Sequence, residues 1–187
     1  MNGGAERAGA RFAPARARNK PAETKGSPRV RVVGVGNSFA GDDGAGIEVI
    51  RRLREHGVSP DVELVEAADA GALFEALRGA AKAVVVDAAV PHAPGRPLSA
   101  GTVLRLTPDR LAGAGLTPLS THGIRVADAI RLAQVVNPET VARTIVVIAI
   151  LVEPKRCGYT PGLSAATSEA VDRAVRMVQE ECERPDG

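Results

Sequence analysis

Two segments of the sequence are apolar throughout their length and end at polar residues. They are KAVVVD at 82–87 and TIVVIAIL at 144–151. A strand with one face in water alternates apolar and polar residues, whereas these segments have no polar face to expose. Strands of this kind lie inside a sheet that helices cover on both sides. The sequence therefore predicts an α/β fold, with three α/β/α layers and a mostly parallel sheet.

Strand-like and helix-like segments alternate along the chain. We predict strands at 30–35, 62–66, 82–87, 102–106 and 144–151. Apolar residues at helical spacing predict four helical faces: Ile47, Ile50 and Leu53; Leu73, Ala76 and Leu77; Ile124, Ala127 and Ile130; and Val171, Val175, Val178 and Cys182. We expect Gly57 to end the first helix, Asn137 and its following proline to end the third, and Ser164 to cap the last. The Pro/Gly-rich segments 90–101 and 108–120 are interpreted as loops.

Length and composition suit a single domain. The chain has 187 residues, of which 44% are hydrophobic and 25% charged, and this is enough to form a sizeable core. Its longest apolar run, at 144–152, is far shorter than the roughly 18 residues that span a bilayer. The N-terminus lacks the apolar stretch of a secretory signal. Cys157 and Cys182 form neither a disulfide framework nor a CxxC motif. We therefore expect a cytoplasmic protein.

The first 28 residues differ in character from the rest. They carry six basic residues against two acidic ones, so the remainder of the chain has a net charge of −2 although the whole has +2. Rich in Ala, Arg, Gly and Pro, this segment has almost nothing to bury, and we predict a disordered basic extension at 1–28 before an α/β domain at 29–184. A basic arm can contact nucleic acid or a membrane surface. We favour a solvated extension or an early start codon, and expect neither partner.

The stretch VRVVGVGNSFAGDDGAGIEVIRRL at 30–53 begins like a strand that enters a dinucleotide-binding turn. Gly34 and Gly36 match the first two glycines of that fingerprint, but the third is missing. In addition, Asp42 and Asp43 occupy the helix N-terminus, where carboxylates would repel a pyrophosphate. A nucleotide site is therefore disfavoured. Either acid could cap the helix, but one cap leaves the second acid unexplained.

Two further residues qualify as chemical groups. Asp87 ends a buried strand, where open parallel sheets place their sites, although a polar residue there also marks the exit into solvent. His122 lies where a loop enters a helix, and a lone histidine is usually structural. If the first and third strands are neighbours, Asp43 and Asp87 open onto one crevice that the histidine can close. Two carboxylates and an imidazole suit a borderline divalent ion such as nickel or zinc.

The motifs together resemble the hydrogenase maturation endopeptidases. The resemblance rests on GVGNSFAGDDGAGIEVIRRL, VVVDAAV, STHGI and YTPGLSAATSEAVDRAV, in the family's order over most of residues 30–180. It implies a phosphorylase/hydrolase-like α/β/α sandwich around a five-stranded sheet with one antiparallel strand. It also implies an aspartic-type endopeptidase that detects nickel in the precursor of a nickel–iron hydrogenase large subunit. Such an enzyme removes the C-terminal extension of that precursor.

The resemblance also assigns residues. The family's nickel-contacting positions fall on Asp43, Asp87 and His122, which would be both the metal contacts and the catalytic residues. The nickel would come with the substrate, so the isolated protein, expected to be a monomer, need not hold a metal. Asp42 matches the first acid of the pair, for which capping is one role.

One segment departs from the family pattern. Where members usually carry a Gly-Gly-Thr-like segment, this chain has EAADAG at 66–71, which we expect to bring Glu66 and Asp69 near the crevice. The triad is unaffected, but the identity of the substrate is put in question. The alternatives are a protease for an atypical hydrogenase or another metalloprotein, and a chaperone or binding module that senses metal without cutting.

Overall fold

The structure is a computed structural model that describes residues 29–91, 99–113, 116–118, 126–158 and 162–184. The predicted basic extension at 1–28 lies outside the described residues, and the proposed domain bounds of 29–184 therefore stay a prediction. None of the helices in the described ranges is both long enough and apolar enough to cross a bilayer.

A mixed sheet forms the middle layer. Its strands are β1 (Val30–Val35), β2 (Val62–Ala67), β3 (Lys82–Pro91), β4 (Val103–Leu106), β5 (Leu116–Pro118) and β6 (Thr144–Leu151). The main sheet has the order β2-β1-β3-β6-β4, in which β4 alone is antiparallel to its neighbour. This confirms the expected five-stranded, mostly parallel sheet with one antiparallel strand. The two fully apolar segments form β3 and β6, which pair with each other and have neighbours on both sides.

Helices cover both faces of this sheet. They are α1 (Ala45–His56), α2 (Ala70–Ala76), α3 (Pro108–Gly113), α4 (Val126–Val136) and α5 (Ala165–Glu183). Successive residues of β3 point to opposite faces, so Val84 and Val86 pack with α1 and α5 while Val85 packs with α2 and α4. Because both faces bury apolar residues, the strand needs no polar side. The predicted ends also hold: Gly57 terminates α1 with φ +78°, and Ser164 caps α5.

The interpretation of 108–120 as a loop was wrong for 108–113 and 116–118, and its other residues lie outside the described ones. Pro108 begins α3, because a proline at the first helical position loses no hydrogen bond there, and Leu111 packs against the α2 and α4 core. Farther on, β5 pairs antiparallel with the end of β3. That pairing exists because β3 continues to Pro91, two residues into the other predicted loop at 90–101. Residues 92–98 of that loop lie outside the described residues.

A buried ionic cluster fastens the end of α5 to the sheet. Lys82 and Glu181 are each 2% exposed. The Lys82 ammonium donates to the backbone oxygen of Glu181 at 2.6 Å and lies 3.4 Å from its carboxylate. Arg105 of β4 donates to the same carboxylate at 2.6 Å, and Arg184 does so at 2.8 Å. The three cations hold the pKa of Glu181 below its usual value despite burial.

Removing the carboxylate from this cluster should destabilise the fold. In Glu181→Ala, the buried Lys82 ammonium loses its carboxylate partner and keeps its bond to the backbone oxygen of residue 181. An uncompensated buried charge costs about 3–5 kcal/mol. We expect the free energy of unfolding, measured by urea denaturation, to fall by that order. The control is Arg184→Ala, which removes a half-exposed partner and should cost less than about 1 kcal/mol. Equal losses in the two variants would contradict this assignment.

Candidate active site at the carboxyl edge of the sheet

The helix α1 sits unusually close to the strands beneath it. A Cβ placed on Gly34 would overlap the backbone of Gly46, and one placed on Gly46 would overlap the carbonyl oxygens of Val35 and Val86. Close helix-to-strand packing is the role of the third glycine in the dinucleotide fingerprint. Here Gly46 has that role, but it comes ten residues after Gly36 rather than three. The glycine is therefore present and displaced by an inserted turn.

The inserted turn is built around Asn37. Gly36 has φ +139°, where any side chain would also overlap the carbonyl oxygen of Asp43. The Asn37 side-chain oxygen accepts a hydrogen bond from the amide of Phe39 at 3.0 Å, and its backbone oxygen accepts one from Ala40 at 3.0 Å. The backbone amide of Asn37 in turn donates to Asp43 Oδ2 at 3.1 Å. Asn37 thus holds the turn through three hydrogen bonds.

The two adjacent acids point in different directions. They lie in a single 3-10 turn, Gly41–Gly44, in which successive side chains are separated by about 120° because the turn has three residues. Asp42 is 1% exposed and accepts hydrogen bonds from Ser164 N at 2.6 Å and Ser164 Oγ at 2.8 Å. Neither acid caps α1, whose N-cap is Gly44 without a side-chain bond. The capping interpretation was therefore wrong, and each acid has its own role.

Asp43 and Asp87 influence each other electrostatically. The strands β1 and β3 are neighbours, as the predicted crevice requires. Asp87 does not end its strand as expected, because β3 continues to Pro91; it is partly buried and directly follows Val86, the last residue of β3 that pairs with β1. Burial and the nearby Asp43 carboxylate raise the pKa of Asp87 to about 8, against a smaller opposing effect of the Ala88 amide. Burial also raises the pKa of Asp43, while the hydrogen bond from Asn37 lowers it. The structure thus brings the two carboxyl groups together.

Cys157 is a neighbour of this pair that the sequence analysis left without a partner. Its thiol contacts the backbone oxygen of Glu153 at 3.5 Å. Burial, with the charges of Asp42 and Asp43, raises the pKa of the Cys157 thiol to about 11. The thiol is therefore protonated near neutral pH. It contributes an uncharged surface beside the two acids and does not act as a nucleophile. The sequence could have indicated this position, because Cys157 follows the carboxyl end of β6 by six residues and the carboxyl ends of parallel strands lie at one edge of the sheet.

The acids of the EAADAG segment have local partners. Glu66 forms an ion pair with Arg54 of α1, and Asp69 is the N-cap of α2, where it accepts a hydrogen bond from Ala72 N at 2.8 Å. Their nearness to the crevice stays a prediction, but neither carboxylate is without a partner. Each carboxylate is engaged in holding a helix, and neither is a free charge that adds to the Asp43–Asp87 pair.

The predicted third member of the triad, His122, lies outside the described residues, as does His92. His56, at the end of α1, pairs through Nδ1 with the Arg52 backbone oxygen at 2.6 Å. In the part of the chain that the structure describes, no three His, Cys, Asp or Glu side chains are grouped to hold a metal ion. The described portion of the site is thus a pair of carboxyl groups, and two ligands alone make a weak metal site.

The carboxyl pair has a definite chemical capacity. Near neutral pH, Asp87 retains its proton while Asp43 is the more acidic partner, so the pair offers one acid and one base. A divalent cation between them would favour both ionised forms, because metal ligands bind as carboxylates. The pair therefore suits either proton transfer or recognition of a cation, and the two uses compete for the same proton.

The raised pKa of Asp87 predicts how stability depends on pH. The folded state holds a proton up to about pH 8 that the unfolded state releases near pH 4. The free energy of unfolding should then fall as pH rises through this window, whereas Asp87→Asn has no such proton to lose. The free energy of unfolding of the variant, minus that of the wild type, should therefore rise by up to about 1.4 kcal/mol per pH unit.

The measurement is urea denaturation of both proteins between pH 5 and 8 in the presence of a chelator. Asp61→Asn is the control, since Asp61 is exposed and lies at the opposite edge of the sheet. A difference between Asp87→Asn and wild type that does not change with pH would contradict the burial of a protonated Asp87.

Known proteins share this architecture. The [NiFe] hydrogenase maturation protease HybD from Thermococcus kodakarensis superposes with a TM-score of 0.65 at 21% identity, over 83% of this chain and 99% of that one. The hydrogenase maturating endopeptidase HybD from E. coli gives 0.65 at 18%, over 82% and 91%. The maturation protease HycI from T. kodakarensis KOD1 gives 0.60 at 24%, over 86% and 96%. At these identities the likeness shows the fold.

Sequence comparison identifies the family. The chain is 27% identical over 158 residues to a candidate hydrogenase maturation protease of Methanocaldococcus jannaschii, covering 80% of this chain and 93% of that protein. The family model described as HycI, hydrogenase maturation protease, matches residues 47–181. This range includes Asp87 and His122, whereas Asp43 lies just before it. Because the match spans well over half of the chain, the protein belongs to the hydrogenase maturation protease family.

Proposed function

We propose that this protein is an endopeptidase that recognises nickel in the precursor of a nickel–iron hydrogenase large subunit and removes its C-terminal extension. The observation that carries the proposal is the carboxyl pair of Asp43 and Asp87 at the carboxyl edge of the sheet, in a chain of a peptidase family. We assign nickel contact and catalysis to Asp43, Asp87 and His122. The nickel belongs to the substrate and not to the resting enzyme.

The incomplete site explains how such an enzyme would distinguish its substrates. Two carboxylates and one imidazole leave coordination positions open, and the precursor fills them with its own ligands. Nickel then displaces the proton of Asp87, since the ligating form is the carboxylate. A precursor without nickel leaves that proton in place and supplies nothing for Asp43 and Asp87 to hold. Selection for metal-loaded substrate follows from this difference in binding.

The same contacts place the reacting groups. A nickel ion beside the scissile bond can polarise its carbonyl group and acidify a bound water. An aspartic-type mechanism instead uses one of the two carboxylates as the general base toward water. Both routes need Asp43 and Asp87 in the crevice, and each fails if either carboxyl group is removed.

Substitution of the three assigned residues tests this function. We expect Asp43→Asn, Asp87→Asn and His122→Ala to fold like wild type and to cut nickel-loaded precursor at least about 100-fold more slowly, since each removes a group that acts on the reacting centre. Product mass measured by mass spectrometry reports the cleavage. The matched control is Asp61→Asn, an exposed acid at the other edge of the sheet, which should cut at the wild-type rate.

The outcomes separate the candidate functions. Nickel-free precursor should remain uncut by the wild-type protein. Binding of nickel-loaded precursor with no change in its mass would instead identify a metal-sensing chaperone. Full cleavage by all three variants would remove these residues from the mechanism.

An exposed aromatic residue lies in the turn that carries Asp43. Phe39 is 78% exposed, although its turn is fixed by the bond from its amide to Asn37. The side chain is thus presented to solvent on a constrained backbone four residues before Asp43. An exposed aromatic ring held in place is the kind of residue that anchors a protein partner. We propose that Phe39 contacts the precursor next to its metal centre.

Truncation of this ring should weaken substrate binding without slowing the chemistry. For Phe39→Ala we expect KM to rise about tenfold, as loss of an interface aromatic costs at least about 1.4 kcal/mol, while kcat stays within about twofold. Steady-state cleavage of the precursor measures both constants. Val135→Ala is the control, because Val135 is 79% exposed but lies near the far end of α4. An unchanged KM in Phe39→Ala would exclude the contact.

A further inference from the structure

A buried link joins the turn that carries Asp43 to the N-terminus of α5. Both oxygens of the Asp42 carboxylate are engaged by one residue 122 positions away, Ser164, through its amide at 2.6 Å and its hydroxyl at 2.8 Å. The Ser164 hydroxyl also accepts the amide of Thr167 at 3.3 Å. The hydroxyl has one proton, and the shorter of its two acceptor contacts is the one to Asp42 at 2.8 Å, against 3.0 Å to the Thr167 hydroxyl. The Asp42–Ser164 pair is therefore a rigid link between two distant segments.

The cap of α5 does not by itself require Asp42. Ser164 caps the helix through its bond to Thr167, which any N-cap serine can form. A buried carboxylate is costly unless it is well satisfied, so its place at this junction needs a further reason. The charge of Asp42 suits the positive end of α5. What the carboxylate adds to the cap is attachment of the 3-10 turn to a helix of 19 residues.

That helix is a firm support. Ala170, Val171, Ala174 and Val178 of α5 are all fully buried against the sheet and α1. The buried ionic cluster around Glu181 fastens its other end. The 3-10 turn, in contrast, is four residues long, and its bond from the amide of Asp43 to the backbone oxygen of Ala40 is long, at 3.3 Å. The direction of the Asp43 side chain thus depends on what holds its neighbour.

We propose that Asp42 is a positioning residue, and that its link to Ser164 directs the adjacent Asp43 carboxylate into the crevice. The role in catalysis rests on the function proposed above, whereas the structural role does not. Asp42 is locked on the α5 side of a turn whose successive side chains diverge by about 120°. Rotation of the turn is then blocked, and Asp43 remains aligned with the Asn37 amide and with Asp87.

The test uses Ser164→Ala and Asp42→Ala, which break the link, and Ser164→Thr, which keeps both of its donors. The first readout is the backbone amide of Asn37, which donates to Asp43. It is followed by NMR in the absence of substrate. We expect its chemical shift and its protection from hydrogen exchange to change in the two alanine variants and to return to the wild-type values in Ser164→Thr.

The second readout is cleavage of precursor. In the two alanine variants we expect kcat to fall about 10- to 100-fold and KM to stay within about twofold.

The matched control is Asp172→Ala. This variant breaks the ion pair of Asp172 with Arg52 and so removes another tie between α1 and α5, but it does not touch the 3-10 turn. We expect the Asn37 amide and kcat to be unchanged in it. If Asp172→Ala and Ser164→Ala lower kcat to the same extent, the link only stabilises the fold and the proposal is overturned.

The two proposals fail in different ways. A wild-type protein that cuts no precursor, with an Asn37 amide that still responds to Ser164→Ala and Asp42→Ala, overturns the proposed function and supports the positioning role. Normal cleavage by wild type, with an unchanged Asn37 amide and unchanged kcat in Ser164→Ala and in Asp42→Asn, overturns the positioning role. Asp42→Asn removes the charge without emptying the site, so it covers the case in which Asp42→Ala fails to fold.

Discussion

The contact of α1 with the first and third strands is the constraint on which the site depends. Gly34 and Gly46 let the backbone of the helix rest against β1 and β3, closer than any side chain would permit. With α1 fixed so tightly, the nine residues between Gly36 and Gly46 cannot extend away and must fold over the carboxyl edge of the sheet. That edge is where the ends of parallel strands collect. The inserted turn therefore carries Asp43 to the place where β3 presents Asp87, and the packing of the core determines the location of the chemistry.

Charge is the second determinant, and it explains why this turn is unsuited to phosphate. The Asp43–Asp87 pair is costly to ionise because burial and mutual repulsion both favour a proton on Asp87,. A cation removes the cost, and an anion increases it. The free protein lowers the cost by keeping one proton. In the function proposed above, a cation delivered with the substrate would take the place of that proton.

Much of this could be predicted from the sequence, because the determining features were local. Apolar runs identified β3 and β6. Gly57 marked the end of α1, and Ser164 marked the start of α5. The sequence analysis failed where a partner is remote in the chain. The link from Asp42 to Ser164 joins residues 122 positions apart, and β5 exists only because β3 extends to meet it. Nothing at Glu66 indicates that Arg54 will pair with it. Such contacts depend on how the elements are stacked, and no local pattern records that.

The adjacency of the two acids is the point at which fold and function meet. A single turn could hold one acid to the fold and offer the other to a substrate only if their side chains diverge, and the 3-10 geometry supplies that divergence. Replacing the turn by regular helix would bring successive side chains about 100° apart and would place the helix N-terminus, with its free amides, over the crevice. Such a site would attract anions. The inserted 3-10 turn instead satisfies the amide of Asn37 with Asp43 and the N-terminus of α5 with Asp42, so that carboxylates occupy the positions where a nucleotide-binding fold of similar sequence would hold phosphate.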